Sequence, residues 1–298
     1  MTPEIDSIPM LTLMRIVLGI IMGTAARFLT LRIDSRQIPS YPNSYFINLV
    51  TAFFAASLGS VAIPSLLSND FAAITFLMLA VQHFRDIRKQ IQESLEQVDP
   101  VGFAPRGSAY IDGISKTFES RNYICLLTSL GTVLALYFIG SERTWVNITA
   151  ALIVGAVLIW AMIRFTKGKC IGDICTLDFG EIDIRGSELY VDDIWVTGML
   201  GLTKRQELFR KEGVALVATP KSDKQRLTLE NSGQRAAALY DAARSFGTKE
   251  LSFTKRSFSD GRIVVTFVPI INDREKILEA VRNTPILESV RKRSDGRP

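Results

Sequence analysis

The chain has 298 residues, enough for two folding units. Its mean hydropathy of +0.20 is high for a soluble protein, yet 22% of its residues are charged and the net charge is +5. The charges crowd into the second half: residues 168–298 hold 22 Lys/Arg and 19 Asp/Glu, while the first 167 contain long uncharged runs. No basic stripe with stacking aromatics is present, which argues against a nucleic-acid partner. With His83 as the lone histidine and Cys170 and Cys175 spaced C-x4-C, no structural zinc site is expected.

Met1 to Pro9 is mildly acidic, through Glu4 and Asp6, and lacks the basic region and cleavage site of a secretory signal. The hydrophobic stretch that follows is therefore a retained helix. A span needs about 20 mostly apolar residues, and Met10–Leu31 meets this, with Arg15 and Arg27 near its ends, placed to snorkel. Tyr45–Leu67 is the second span, with Pro64 near its end. Phe71–Phe84 has only 14 residues and is either a short third span or a helix half buried against the second. Tyr123–Gly140 and Ile148–Phe165 are the last two.

Lys and Arg collect at 32–44, at 85–121 and after the last span, as Lys167 and Lys169. By the positive-inside rule these segments are cytosolic. The expected architecture is a membrane α-helical bundle of about five transmembrane helices followed by a small cytosolic α+β domain. Residues 1–167 form the membrane part, with a cytosolic helical loop at 85–122; residues 168–290 form the domain, and 291–298 a basic tail. The N-terminus then lies outside and the C-terminal domain in the cytosol. Gly19 and Gly23 stand four apart, as do Ala52 and Ala56, and such spacing lets helix backbones approach closely. It also arises by chance in Ala/Gly-rich spans. A homo-oligomer through Gly19 and Gly23 is one expectation from it.

Between the third and fourth spans, Val81–Val98 continues as a helix with Phe84, Ile87, Ile91, Leu95 and Val98 on one face, stopped by Asp99-Pro100. A second helix over Ser108–Asn122 leads into the fourth span, with Ile111, Ile114 and Phe118 as an apolar stripe. Such a helix suits the membrane interface or a docking site on a cytosolic domain. Within it, Tyr110-Ile-Asp-Gly-Ile-Ser115, followed by Lys116 to Tyr123, resembles the hexapeptide that names the YIEGIA family. Asp34, Arg36, Tyr41 and Pro42 resemble a second family patch, and the plan of spans followed by a domain matches along the whole chain. Asp112 and Ser115 depart from the name motif's Glu and Ala but keep charge or size class. The resemblance implies a polytopic membrane protein of endospore-forming bacteria with a role in sporulation, in spore envelope assembly, with other sporulation proteins as partners. The forespore membrane is one location consistent with that role.

From Cys175 the period changes to alternation. Leu177 and Phe179, then Ile182 and Ile184 after a slip at Gly180, read as a strand; Leu189 and Val191, then Ile194 and Val196 after a slip at Asp192-Asp193, read as its hairpin partner with bulges. Gly213–Thr219 is a short apolar strand and Arg262–Pro269 an alternating one. Gln234–Phe246 is an amphipathic helix, capped by Asn231 or Ser232 and stopped by Gly247. Asn272–Asn283 is a helix opened by an Asn272-to-Glu275 capping box. The tail with Arg291, Lys292, Arg293 and Arg297 is suited to anionic lipid.

The acidic run Asp178, Glu181, Asp183, Glu188, Asp192 and Asp193 invites a metal reading, but alternate residues of a hairpin face solvent, so a solvated face is preferred. A membrane-bound regulatory protease is the alternative function. Ser259-Asp260-Gly261 is not an aspartic-protease loop, one histidine excludes His-Glu-x-x-His, and no serine–lysine spacing is diagnostic, so a Ser–Lys dyad stays open. No phosphate-binding loop is present and no cofactor is expected. The expected contact surface is Tyr110, Asp112, Gly113, Lys116, Glu119 and Arg121, with Asp34, Arg36 and Tyr41 on the same cytosolic side.

Overall fold

The computed structural model describes residues 9–34, 42–68, 71–99, 104–166 and 168–287. The chain divides into two compact units, Met1–Ile91 with Ile114–Lys167, and Gln92–Gly113 with Gly168–Pro298.

The first unit is helical: α1 (Met10–Asp34), α2 (Pro42–Leu67), α3 (Phe71–Val98), α4 (Ser108–Ile139) and α5 (Thr144–Thr166), with α3 and α4 each extending beyond it. Among the described residues, four stretches are long and apolar enough to cross a membrane: Met10–Thr30, Asn48–Leu67, Ser108–Ile139 and Thr144–Thr166. α3 does not qualify, because its charged second half follows an apolar part of only Phe71–Phe84. α4 is one uninterrupted helix, where an interfacial helix followed by a span was expected; Gly140, at φ 61°, stops it.

Side-chain contacts fix the direction of every helix in this unit. Arg15 of α1 lies over the Tyr137 ring, 4.7 Å from its centroid, and reaches the Ser141 carbonyl at 3.4 Å. Arg27 lies over Phe118 and donates to Asn48 Oδ1 at 3.2 Å. α1 is therefore antiparallel to both α4 and α2. α3 is antiparallel to α4, since Phe84 meets Tyr123 edge-on and Arg88 pairs with Glu119 at 3.2 Å. Met22 and Ala26 pack with Ile159, and a Cβ on Gly155 would strike Met22, which sets α5 parallel to α1. Five passes alternate in direction, and α1 starts at the end opposite to the one where α5 finishes.

One expectation is corrected here. Arg15 and Arg27 do not snorkel: they are 6% and 1% exposed, turned onto the rings of Tyr137 and Phe118 and onto the Ser141 carbonyl and the Asn48 side-chain oxygen. A guanidinium in an apolar surround is held where oxygen acceptors and π faces replace its water. Gly19 and Gly23 face inward too. A Cβ on Gly19 would meet Ser60 and Val133 at 2.5 Å, and one on Gly23 would meet Ala56 at 2.7 Å, so the stripe serves close packing within the chain.

The second unit contains α6 (Ile171–Ile174), β1 (Cys175–Phe179), β2 (Ile182–Arg185), β3 (Glu188–Val191), β4 (Ile194–Thr197), α7 (Thr203–Glu212), β5 (Val214–Pro220), α8 (Asp223–Leu229), α9 (Ser232–Phe246), β6 (Ser252–Arg256), β7 (Ile263–Phe267) and α10 (Arg274–Arg282). One antiparallel sheet has the order β1-β5-β7-β6; the other is the meander β2-β3-β4.

The first sheet is covered on both faces. Val214, Leu216, Ala218, Ile263, Val265 and Phe267 join a core with Leu239 and Ala242 of α9 and Ile277 and Val281 of α10. The alternate residues Ala215, Val217 and Val264 join a second core with Leu189, Val191, Ile194 and Val196 of the meander and Phe209 of α7. Double coverage explains the unbroken apolar run of β5. Each such fully buried side chain contributes about 1.5–3 kcal/mol of transfer free energy.

The expected bulged hairpin is four strands in two sheets. At Gly180 the chain leaves the first sheet for the second, and a Cβ there would strike Val191 and Val217. At Asp192, with φ 53°, it turns tightly between β3 and β4, and the carboxylate accepts from Glu181 N at 2.8 Å. α9 starts as expected, with Asn231 Oδ1 accepting from Gly233 and Gln234 amides, and ends at Gly247, at φ 69°. α10 is capped by Asp273, which accepts from Lys276 N, and not by Asn272, whose amide reaches the Glu212 carbonyl. The basic tail lies outside the described residues.

Candidate functional site

The hexapeptide Tyr110–Ser115 opens α4, and its first turn belongs to the second unit. The entry is built by Asp99, whose two carboxylate oxygens accept from the amides of Arg106 at 2.6 Å and Gly107 at 3.0 Å. Gly107, at φ 80°, takes a left-handed conformation that other residues adopt at a cost. Arg106 is then laid over Tyr240, 4.9 Å from the ring centroid, and its Nε donates to the Tyr240 hydroxyl at 2.7 Å. Tyr110 meets the same ring edge-on at 5.8 Å and donates its hydroxyl to Asp241 Oδ1 at 2.7 Å.

Tyr240 and Asp241 are neighbours on α9, so one helical turn receives both groups of the incoming segment. Burial pushes the Asp241 carboxyl above its ordinary range, against the hydrogen bonds of Tyr110 and Thr284 and the nearby Arg244. Fully buried Gln234 ties the segment after α10 to the same helix: its Nε2 donates to the Pro285 carbonyl at 3.0 Å, and its Oε1 accepts from Leu287 N at 2.9 Å. Gly233 permits the approach, since a Cβ there would lie 3.1 Å from Ala109 Cβ. Gly113 faces Leu287 at 3.7 Å by the same measure.

The expected contact surface is thus not one exposed face. Tyr110 is 2% exposed and committed to α9, which corrects its assignment to a surface reached by partners. Asp112 and Gly113, in the same unit, are half-buried. Lys116, Glu119 and Arg121 belong to the first unit, where Glu119 accepts from Arg88 and from the Tyr123 hydroxyl and Arg121 is buried. Asp34 closes α1 with its side chain outside the described residues, and Arg36 and Tyr41 lie outside them altogether. Arg106, Gln234, Tyr240 and Asp241 were not singled out from the sequence. The available signal was a carboxylate, Asp241, beside the apolar face of an amphipathic helix.

Other chemistry-bearing groups are dispersed. Asp183 pairs with Arg185, Glu188 with the Tyr190 hydroxyl, and Asp193 with Arg262 at 2.7 Å. Among the described residues, no three His, Cys, Asp or Glu side chains come together as a metal would need. Burial pushes the Cys175 thiol up to about 12, so it is protonated and inert at neutral pH. In Ser259-Asp260-Gly261, burial raises the Asp260 carboxyl but hydrogen bonds from Ser257 and Arg262 outweigh it and hold it at about 2. That carboxylate is a turn partner of Arg262. His83 is exposed on α3.

A bundle of membrane-length helices, coupled in sequence to an α+β unit that takes in the segment between α3 and α4, defines the class of protein. The chain belongs to the YIEGIA family, whose model, described as YIEGIA protein, matches residues 15–296. It is similar to the uncharacterized protein YphB of Bacillus subtilis (strain 168), with 37% identity over 281 residues, covering 92% of each chain. No solved structure matches it.

Proposed function

We propose that this is an integral membrane protein of the sporulation programme, acting in spore envelope assembly by holding its α+β unit in the cytosol for other sporulation proteins to bind. The observation that carries the reading is how the signature segment is used. Tyr110 and Arg106 are engaged by Asp241 and Tyr240 in hydrogen bonds of 2.7 Å, an arrangement that orders a folded unit. Partners then meet the outer surface of that unit and not the hexapeptide itself.

Five crossings, with the N-terminus outside and the C-terminal unit cytosolic, accompany this reading. Its support is the alternation of the passes: α1 and α5 run in the same direction, as an odd number of crossings between the termini would require. Phe71–Phe84 rises about 21 Å at 1.5 Å per residue, short of about 30 Å of hydrocarbon. Local thinning of the bilayer accommodates a hydrophobic stretch shorter than the hydrocarbon. Four crossings would put both termini on one side. Membrane-impermeant labelling of a cysteine placed at Thr2, in intact cells, separates the two: labelling fits five crossings, and protection fits four.

The functional reading is tested by affinity capture from sporulating cells with full-length bait, comparing wild type with Tyr110→Ala. Specific partners recovered by the wild type and lost by the variant are expected. Cleavage of a captured protein by purified wild type, abolished by one Ser or Asp substitution, would replace this reading with the protease.

A further inference from the structure

α8, the end of β6 and the start of α9 bring three arginines onto one acid. Glu230, between α8 and α9, receives Arg226 Nε on one carboxylate oxygen at 2.8 Å and Arg256 on the other at 3.4 Å, and its backbone carbonyl receives Arg235. Three arginines therefore crowd one carboxylate, although Asp223 and Asp260 also act on Arg226.

The three are not equivalent. Arg226 is fully engaged: it also donates to the Phe258 and Ser259 carbonyls, and its side chain lies where a Cβ on Gly261 would be, 2.5 Å away. By holding Glu230, Arg226 weakens the acid's ability to offset the other two. Arg235 keeps its Nε buried without a hydrogen-bond partner among the described residues. Burial, then the charge of Arg256, depress its proton affinity. It lies in the first turn of α9, which contains no acid and whose amide dipoles add positive potential. Thr254 shares the Arg256 face of β6 by strand alternation, and its buried hydroxyl also has no partner among the described residues.

Such a site calls for an oxyanion. A guanidinium fork matches phosphate oxygens in pairs, and an incoming phosphate removes the repulsion between the two arginines. Two large apolar side chains flank the cluster: Phe258 is 73% exposed with Arg256 stacked 4.6 Å from its ring centroid, and Leu227, next to Arg226, is 60% exposed. Cations beside exposed apolar groups match an anionic bilayer surface, which offers phosphates above hydrocarbon.

We infer that Arg235 and Arg256 form a binding site for the phosphate group of an anionic phospholipid, with Phe258 and Leu227 seated against the lipid beside it. This rests on the membrane reading above for the source of the phosphate.

The test uses the full-length chain in mild detergent, with bound lipid counted by native mass spectrometry during titration with phosphatidylglycerol, phosphatidylcholine or inorganic phosphate. Phosphatidylglycerol is expected to be retained by the wild type and bound at least about tenfold more weakly by Arg235→Gln/Arg256→Gln, the loss expected for charged hydrogen bonds. Arg185→Gln, in the other sheet, and phosphatidylcholine binding serve as unchanged controls. Phe258→Ser, which leaves the cations in place, is expected to weaken phosphatidylglycerol but not inorganic phosphate. Equal phosphatidylglycerol retention by wild type and double variant, with both folded by circular dichroism, overturns the site. Inorganic phosphate displacing the lipid at equal concentration overturns the lipid source. Extraction of the chain from membranes by carbonate alone would refute the membrane reading, while the titration still reports on the arginine pair.

Discussion

The two units of this chain differ in what they turn outward. The helical unit encloses Arg15, Arg27, Ser60, Thr128, Ser129, Thr132 and Asn147, while Phe28, Phe54, Phe138, Trp145, Trp160 and Phe165 face outward. The α+β unit encloses Val214, Leu216, Val265, Phe267 and Ile277, and places its ion pairs outside. In water the apolar surface drives folding by leaving the solvent. In lipid that force between helices vanishes, and close packing through small residues and polar contacts takes its place. The inversion gives the apolar helices a stronger claim to a bilayer than their length alone does.

The largest effect expected is in the bundle. A Cβ on Gly59 would lie 2.2 Å from Ser129 Oγ and 2.3 Å from the Leu126 carbonyl, so Gly59→Leu forces backbones apart. A loss of about 3 kcal/mol or more follows from overpacking, read as loss of the thermal unfolding transition of detergent-solubilised protein. Gly198→Leu, with open space around the residue, is the matched control.

The comparison itself breaks if a charge on the outer bundle face is harmless. Ile153→Lys, on the exposed face of α5, is expected to cost about 3 kcal/mol of insertion free energy if that face meets lipid, seen as reduced membrane-integrated yield. The equally exposed Met199→Lys in the α+β unit is expected to stay within about 0.5 kcal/mol. Equal yields for the two variants would refute the inversion.

Within the α+β unit, Tyr110→Phe removes the donor to a buried carboxylate and should cost about 1–3 kcal/mol, measured by denaturant unfolding. Pairing it with Asp241→Asn in a double-mutant cycle isolates the coupling. Asn231→Ala, which removes the α9 cap, should cost about 1 kcal/mol in the same measurement.

The smallest effect is a slope. Because burial raises the Asp241 carboxyl above its unfolded value, the native state holds that proton to higher pH than the unfolded chain does. Stability contributed by this group therefore falls as pH rises from the ordinary carboxylate range through the raised value. Asp241→Asn should flatten that slope in a pH series of unfolding midpoints.

Local signals were legible where local physics decided the outcome. The span-length apolar runs, the cap at Asn231, the stop at Gly247 and the apolar strand at β5 are all visible in short windows. α7 and α8 were not visible, because Thr203–Glu212 buries only Phe209 and Asp223–Leu229 only Thr228 and Leu229, too few for a periodic stripe. The slips at Gly180 and Asp192 were seen but interpreted as bulges; a break in alternation looks the same whether a strand bends or ends.

The sequence by itself determined that one half of the chain suits lipid and the other water, since transfer free energy sums over neighbouring residues. Only the tertiary structure decided that Arg27 turns inward, that α3 packs antiparallel to α4, and that Tyr110 finds Asp241 across 131 positions of chain. Those outcomes depend on partners far away in sequence, and no local pattern encodes which distant acceptor a buried donor will meet.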